Sequence, residues 1–231
     1  MKSFESVLSR YKGIGPGFDF LRIGLAISIV LTHAALLTER TWLRDTPLWF
    51  VEYALVPMFF ALSGFLVAGS AMRLSLKNFL INRGLRIIPA LAVDVVVCAL
   101  IIGPLMTTAP LAQYFTDKDF FKYFLNITGW IHYDLPGVFK DHFNTRVNGA
   151  LWTVPYEIFC YMIMSVLIFS RWITRPWFVV VLTIGFFVFG VVIQYTTPSD
   201  REAQSLFDFA LRGFFVSRGA QLLLAFLLGI V

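Results

Sequence analysis

Six stretches of apolar sequence, each near the roughly 20 residues a helix needs to cross a bilayer, constrain this chain more than any other feature. They run over about 18–37, 48–71, 85–105, 150–169, 177–195 and 214–231. Backbone N–H and C=O groups inside hydrocarbon find no water, so each stretch must satisfy them internally. The expected fold is therefore all-α, a polytopic transmembrane helix bundle of about six helices in a single domain spanning 1–231. Composition agrees: 58% of residues are hydrophobic, 25 are Phe and only 14% are charged, where a soluble domain carries about 25% charged residues. Most connections are short. Residues 106–149 form the exception, an aromatic stretch of mixed charge expected to make an extracytoplasmic re-entrant or interfacial cap within the same domain.

The placement of charge gives an orientation. Lys2, Arg10 and Lys12 precede the first stretch, Arg73, Lys77, Arg83 and Arg86 surround the second connection, and Arg171 and Arg175 occupy the fourth. The other loops balance their charges, as Glu39, Arg40, Arg44 and Asp45 do in the first. Basic loops face the cytoplasm, so the N-terminus is expected to be cytoplasmic in a multi-pass protein of the inner, cytoplasmic membrane. The net charge of +5 is gathered into loops rather than along one face, which excludes a nucleic-acid partner. Cys98 and Cys160 lie within apolar runs and read as small hydrophobes rather than a disulfide. The first run contains Asp19, Arg22 and His33, unlike a signal-peptide core, and is read as a retained helix. The last stretch stops at Val231 without a polar flank, so the chain is expected to lack a C-terminal part.

Charges within a bilayer cost about 2.5 kcal/mol or more and usually face a cavity or a partner. Arg22 and His33 are eleven residues apart, three turns, which places them on one helix face about 16 Å apart. Asp19 precedes Arg22 by one turn and can pair with it. The alternative is an interfacial Asp19–Arg22 pair beside an unrelated packed histidine. Glu157, in the fourth stretch, enters from the same side that His33 approaches, so a His–carboxylate pair is geometrically open, as is a helix-packing Glu. Such a pair would orient the imidazole and raise its basicity as a general base. Glu52 and Asp94 are further intramembrane acids. Arg83 and Arg86 can hold phosphates in bidentate fashion, or simply obey the positive-inside rule. Ser63-Gly64 reads first as close helix packing. No metal site is expected, since His33, His132 and His142 lack ligand spacing, and no phosphate loop or nucleophile elbow is present.

Four blocks together resemble the membrane acyltransferase 3 family. They are Phe18-Asp19-Phe20-Leu21-Arg22 with His33 after ten further residues, Phe59-Phe60-Ala61-Leu62-Ser63-Gly64-Phe65-Leu66, Arg83-Gly84-Leu85-Arg86-Ile87-Ile88-Pro89, and Leu151-Trp152-Thr153-Val154-Pro155-Tyr156-Glu157. They stand in the family's order and cover about 17–170. Pro57 departs from the pattern, since many members have an acidic residue before the Phe-Phe pair. The resemblance implies an acyltransferase with about ten helices, using acyl-CoA, commonly acetyl-CoA, as donor substrate and no bound cofactor. It implies a catalytic set of His33 and Glu157 and a substrate-binding set of Asp19, Arg22, Ser63, Arg83, Arg86 and Trp152. Acyl-CoA would bind from the cytoplasm with Arg83 and Arg86 near its phosphates, and His33 would take a proton from a hydroxyl of a glycan or glycolipid acceptor on the outer side. The competing readings are a transporter, which predicts inverted repeats that are absent here, and a truncated, non-catalytic membrane protein.

Overall fold

The computed structural model describes residues 17–38, 46–47, 49–197, 212, 215–216 and 218–231. Lys2, Arg10 and Lys12, residues 39–45 and the charges at 200–208 lie outside the described residues. Among the described residues the structure is helical, with one isolated bridge between Thr107 and Val138 and no strand. Five helices are long and apolar enough to cross a membrane. They are α1 (Gly17–Leu37), α2 (Trp49–Ala71), α3 (Leu76–Met106), α6 (Val154–Phe169, entered through a 3-10 turn at Gly149–Thr153) and α7 (Pro176–Thr196). The short helices α4 (Leu111–Thr116) and α5 (Lys118–Tyr123) lie between α3 and α6. The last helix, α8 (Arg218–Ile230), has 13 residues, about 20 Å of rise, and is shorter than the expected sixth stretch.

Two compact units divide the chain, one of residues 1–74 with 166–231 and one of residues 75–165. In the first, α1 packs on α2 through Leu25, Leu55 and Leu62, with Phe18, Ile29 and Phe59 against them. Phe18 also stacks on Phe65 at 4.9 Å between ring centres. The small residues of α2 admit α8. The Cα of Gly64 faces the backbone carbonyl of Phe226, and Gly229 faces that of Ala61. Arg218 lies 4.9 Å over the ring of Tyr53. The offset between partners stays nearly constant along both helices, so α2 and α8 run parallel. Close approach through glycine is how membrane helices gain packing where lipid offers no hydrophobic drive.

In the second unit α3 begins nine residues before the stretch marked by hydropathy. Ser75 caps it, accepting from the backbone N–H of Asn78 at 3.4 Å. The first turns, with Lys77, Asn78 and Asn82, are too polar to register as an apolar window yet continue the helix. Arg83 and Arg86 consequently lie in its third and fourth turns rather than at its mouth. Residues Cys98–Ile102 open into a π turn, and the Tyr114 hydroxyl donates to the Ala99 carbonyl there at 2.7 Å.

The stretch that follows α3 is a folded cap. Its core joins Tyr114, Phe120, Tyr123, Leu135, Val138 and Leu151 to Leu91, Val95 and Cys98 of α3. Thr107 donates to Pro136 O at 2.7 Å, and Gly137, at φ +71°, brings the chain back where a side chain would strike Thr107 and Ala109. Asn126 is fully buried, donating to Tyr123 O and His132 O and accepting from His132 N–H. Burial pushes the Tyr114 hydroxyl up to about 12 and raises that of Tyr123 further. On the cap's surface Lys122, 3.0 Å from Asp119, draws that carboxyl below its ordinary value.

Candidate functional site

The first constellation is the polar stripe of α1. Arg22 Nη1 lies 3.9 Å from Asp19 Oδ1, a loose pair with Asp19 80% exposed. Three turns on, the half-buried His33 places Nδ1 2.8 Å from the carbonyl oxygen of Ile29. A carbonyl can only accept, so Nδ1 carries the hydrogen. The neutral ring then has its lone pair on Nε2. A second local bond reinforces this turn, since Thr32 Oγ1 also donates to Ile29 O at 2.9 Å. Ser63, in the same unit, is half-buried on α2 beside the glycine that meets α8, so the packing reading of Ser63-Gly64 has a structural counterpart.

The second constellation joins α3 and α6. Glu157 accepts from the Tyr161 hydroxyl at 2.6 Å, one turn along α6. The Tyr161 ring meets Phe79 edge-on, with centres 6.4 Å apart. The Arg83 guanidinium lies against both rings, 5.7 Å from the centre of Phe79 and 5.8 Å from that of Tyr161. Its Nε is buried and has no hydrogen-bond partner among the described residues. Arg86 stands one turn beyond Arg83 on α3, so this corner of the unit gathers two cations, one carboxylate and a phenol. Trp152, on the 3-10 turn before α6, packs edge-on against Tyr156 at 6.1 Å.

The structure thus brings Arg83 and Arg86 toward Glu157 through Tyr161, and Asp19 to Arg22 with His33 above them. His33 belongs to the first compact unit and Glu157 to the second. Three residues that share this chemistry were not singled out in the sequence. Tyr161 stands at i+4 from Glu157, a helical spacing that would have found it. Phe79 lies in the polar start of α3. Asn148 donates to both Asp94 carboxylate oxygens, at 3.0 and 2.9 Å, across a separation no local pattern reveals. Among the described residues no group of three His, Cys, Asp or Glu side chains is placed to hold a metal ion.

Comparison with known proteins identifies the family. The profile of a family described as an acyltransferase domain matches residues 16–231. An O-acetyl transferase of Shigella phage Sf6 is 28% identical over 64% of this chain and 44% of its own length. Nodulation protein 10 of Rhizobium leguminosarum bv. viciae is 32% identical over 67% of this chain and 45% of its own. The chain spans about half the length of these curated relatives. No solved structure matches. A multi-pass helical membrane protein whose residues 16–231 match the family profile, this chain belongs to the membrane acyltransferase 3 family.

Proposed function

We propose that the chain is the donor-handling and proton-transferring part of an enzyme moving an acyl group, acetyl first, from cytoplasmic acyl-CoA to a hydroxyl of an extracytoplasmic glycan. The enzyme lies in the inner membrane with its N-terminus cytoplasmic. The name of the Shigella phage Sf6 relative, an O-acetyl transferase, supports oxygen as the acceptor atom.

The observation that carries the reading is the bond from His33 Nδ1–H to Ile29 O. It leaves Nε2 as the basic nitrogen of an intramembrane histidine, the form a general base for a hydroxyl requires. In a direct transfer, Nε2 takes the hydroxyl proton as the sugar oxygen bonds to the thioester carbonyl carbon. The carbon–sulfur bond then breaks, and the coenzyme leaves as a thiolate that recovers the proton from His33. Glu157, held by the Tyr161 hydroxyl, is the second member of the catalytic set. Arg83, its buried Nε lacking an acceptor among the described residues, and Arg86 suit the phosphates of the donor, whose geometry Arg matches. Asp19, Arg22, Ser63 and Trp152 complete the substrate-binding set.

The test is acyl-CoA binding by the purified protein in detergent, with and without Arg83→Ala/Arg86→Ala, beside acyl transfer in membranes by His33→Ala. Binding that falls with the arginine changes, and transfer that disappears with His33, are the expected results. Binding unaffected by the arginine pair sinks the donor assignment, and wild-type transfer by His33→Ala sinks the base.

A further inference from the structure

Within the second unit an intramembrane carboxylate, Asp94, meets no cation among the described residues. Its partner is the Asn148 amide, whose Nδ2 lies 3.0 and 2.9 Å from the two carboxylate oxygens. Asn148 uses its other end as well. Its Oδ1 accepts from the Ala150 backbone N–H at 3.0 Å, capping the 3-10 turn Gly149–Thr153. That turn carries Trp152 and runs without a break into α6, where Glu157 stands in the first turn. One side chain therefore ties the middle of α3 to the start of the segment bearing two candidate site residues.

The amide can be seated only one way. Rotating it by half a turn would set its oxygen against the Asp94 carboxylate and its NH2 against the Ala150 N–H. The 3-10 turn runs without a break into α6, so the seat of Asn148 sets where the segment bearing Glu157 begins.

We infer that Asp94 and Asn148 form a clasp that holds Trp152 and Glu157 in place, which makes Asp94 and Asn148 positioning residues for the transfer. The inference rests on the acyl-transfer reading for its catalytic consequence and on the geometry alone for the clasp. A carboxylate suits this task because hydrogen bonds to a charged acceptor are about twice as strong as neutral ones. An unpaired charge on α3 would also be costly in a bilayer, which makes the open clasp unfavourable.

A polarity swap tests it. Asn148→Asp sets two carboxylates face to face and opens the clasp. Asp94→Asn combined with Asn148→Asp restores it in reverse, since Asp caps a helix as well as Asn does and the amide now on α3 supplies the NH2. Acyl transfer with varied acyl-CoA and backbone hydrogen exchange over 149–157 are measured on each form in membranes or detergent, at matched protein abundance. The expected result for Asn148→Asp is a fall in kcat of about 100-fold, the scale of an ångström of misplacement, with the donor KM unchanged and faster exchange over 149–157. The double variant should recover both. A double variant that recovers neither overturns the inference. One that regains protection while kcat stays low shows the Asp94 carboxylate acting in its own right, and overturns it as well. Exchange that Asn148→Asp leaves unchanged has the same consequence. If the wild-type protein transfers no acyl group, the function proposed above falls, while the exchange pattern still decides the clasp.

Discussion

The imidazole of His33 donates from Nδ1 to the carbonyl of Ile29, 2.8 Å away and one turn back on α1. Histidine at a bilayer position is costly to keep without a task, and on the proposed function this bond leaves Nε2 as the nitrogen that takes the proton. Replacement of His33 by Ala should lower transfer by about 10²- to 10⁴-fold, the usual weight of a positioned general base, while the protein still inserts. Gln retains a polar group but cannot carry a proton away, so His33→Gln should be as inactive as His33→Ala. Initial rates with acyl-CoA in membranes of equal protein content check both.

Arg83 lies against two aromatic rings, Phe79 and Tyr161. A guanidinium fits there by its flat, weakly hydrated surface, which an ammonium lacks. Arg83→Lys keeps the charge and loses the bidentate match to a phosphate, a charged hydrogen bond worth about 1.5 kcal/mol. The Kd for acyl-CoA in detergent should rise about tenfold or somewhat more. An unchanged Kd would mean that Arg83 serves only the packing of α3 against α6.

The helices were legible because bilayer length and polarity write themselves into local composition. The ends were less so. Residues 76–84 at the start of α3 carry Lys77, Asn78, Asn82 and Arg83, so hydropathy stops where the helix does not. The stripe from Asp19 through Arg22 to His33 was legible because helix period alone places it. Ser63-Gly64 was legible as packing, though its partner, Phe226, was not. The Asp94–Asn148 bond and the seat of Arg83 between Phe79 and Tyr161 depend on residues far apart in the chain, and no periodicity encodes them. The aromatic residues of 106–149 supply the core that packs on α3, but the buried Asn126 within it has no local signature.

Tyr114 offers a spectroscopic handle on that cap. Its hydroxyl is buried and donates to Ala99 O at 2.7 Å, and burial pushes its pKa up to about 12, above the usual value of about 10. The folded state therefore holds this proton more tightly than the unfolded chain. The stability Tyr114 contributes is complete below about pH 10 and is lost as pH rises through about 12. Tyrosinate absorbance should show a late ionisation that Tyr114→Phe removes. A Tyr114 that ionises with the exposed tyrosines would mean that the cap is not packed on the π turn of α3.

Gly64 and Gly69 stand on the same helix and differ in what lies above them. A methyl on Gly64 would meet the backbone carbonyl of Phe226, whereas Gly69 has nothing within 4 Å of the same position. Backbone cannot swing aside as a long side chain can, so Gly64→Ala must push α8 away from α2, at a cost of about 1–3 kcal/mol typical of overpacking. Gly69→Ala should be neutral or slightly stabilising, because alanine loses less backbone entropy than glycine in a helix, by about 0.5–1 kcal/mol. Thermal loss of monodisperse protein in detergent compares the two directly. The expected order places Gly64→Ala below wild type and Gly69→Ala at or above it. Equal tolerance at both positions would dissolve the parallel α2–α8 pair, and with it the packing explanation of the Ser63-Gly64 block. That block would then need a contact with substrate to account for its glycine. Loss of stability at Gly64 alone, with acyl-CoA affinity unchanged in the protein that remains folded, would assign the glycine to helix packing and leave Ser63 as the residue of that block to test against substrate.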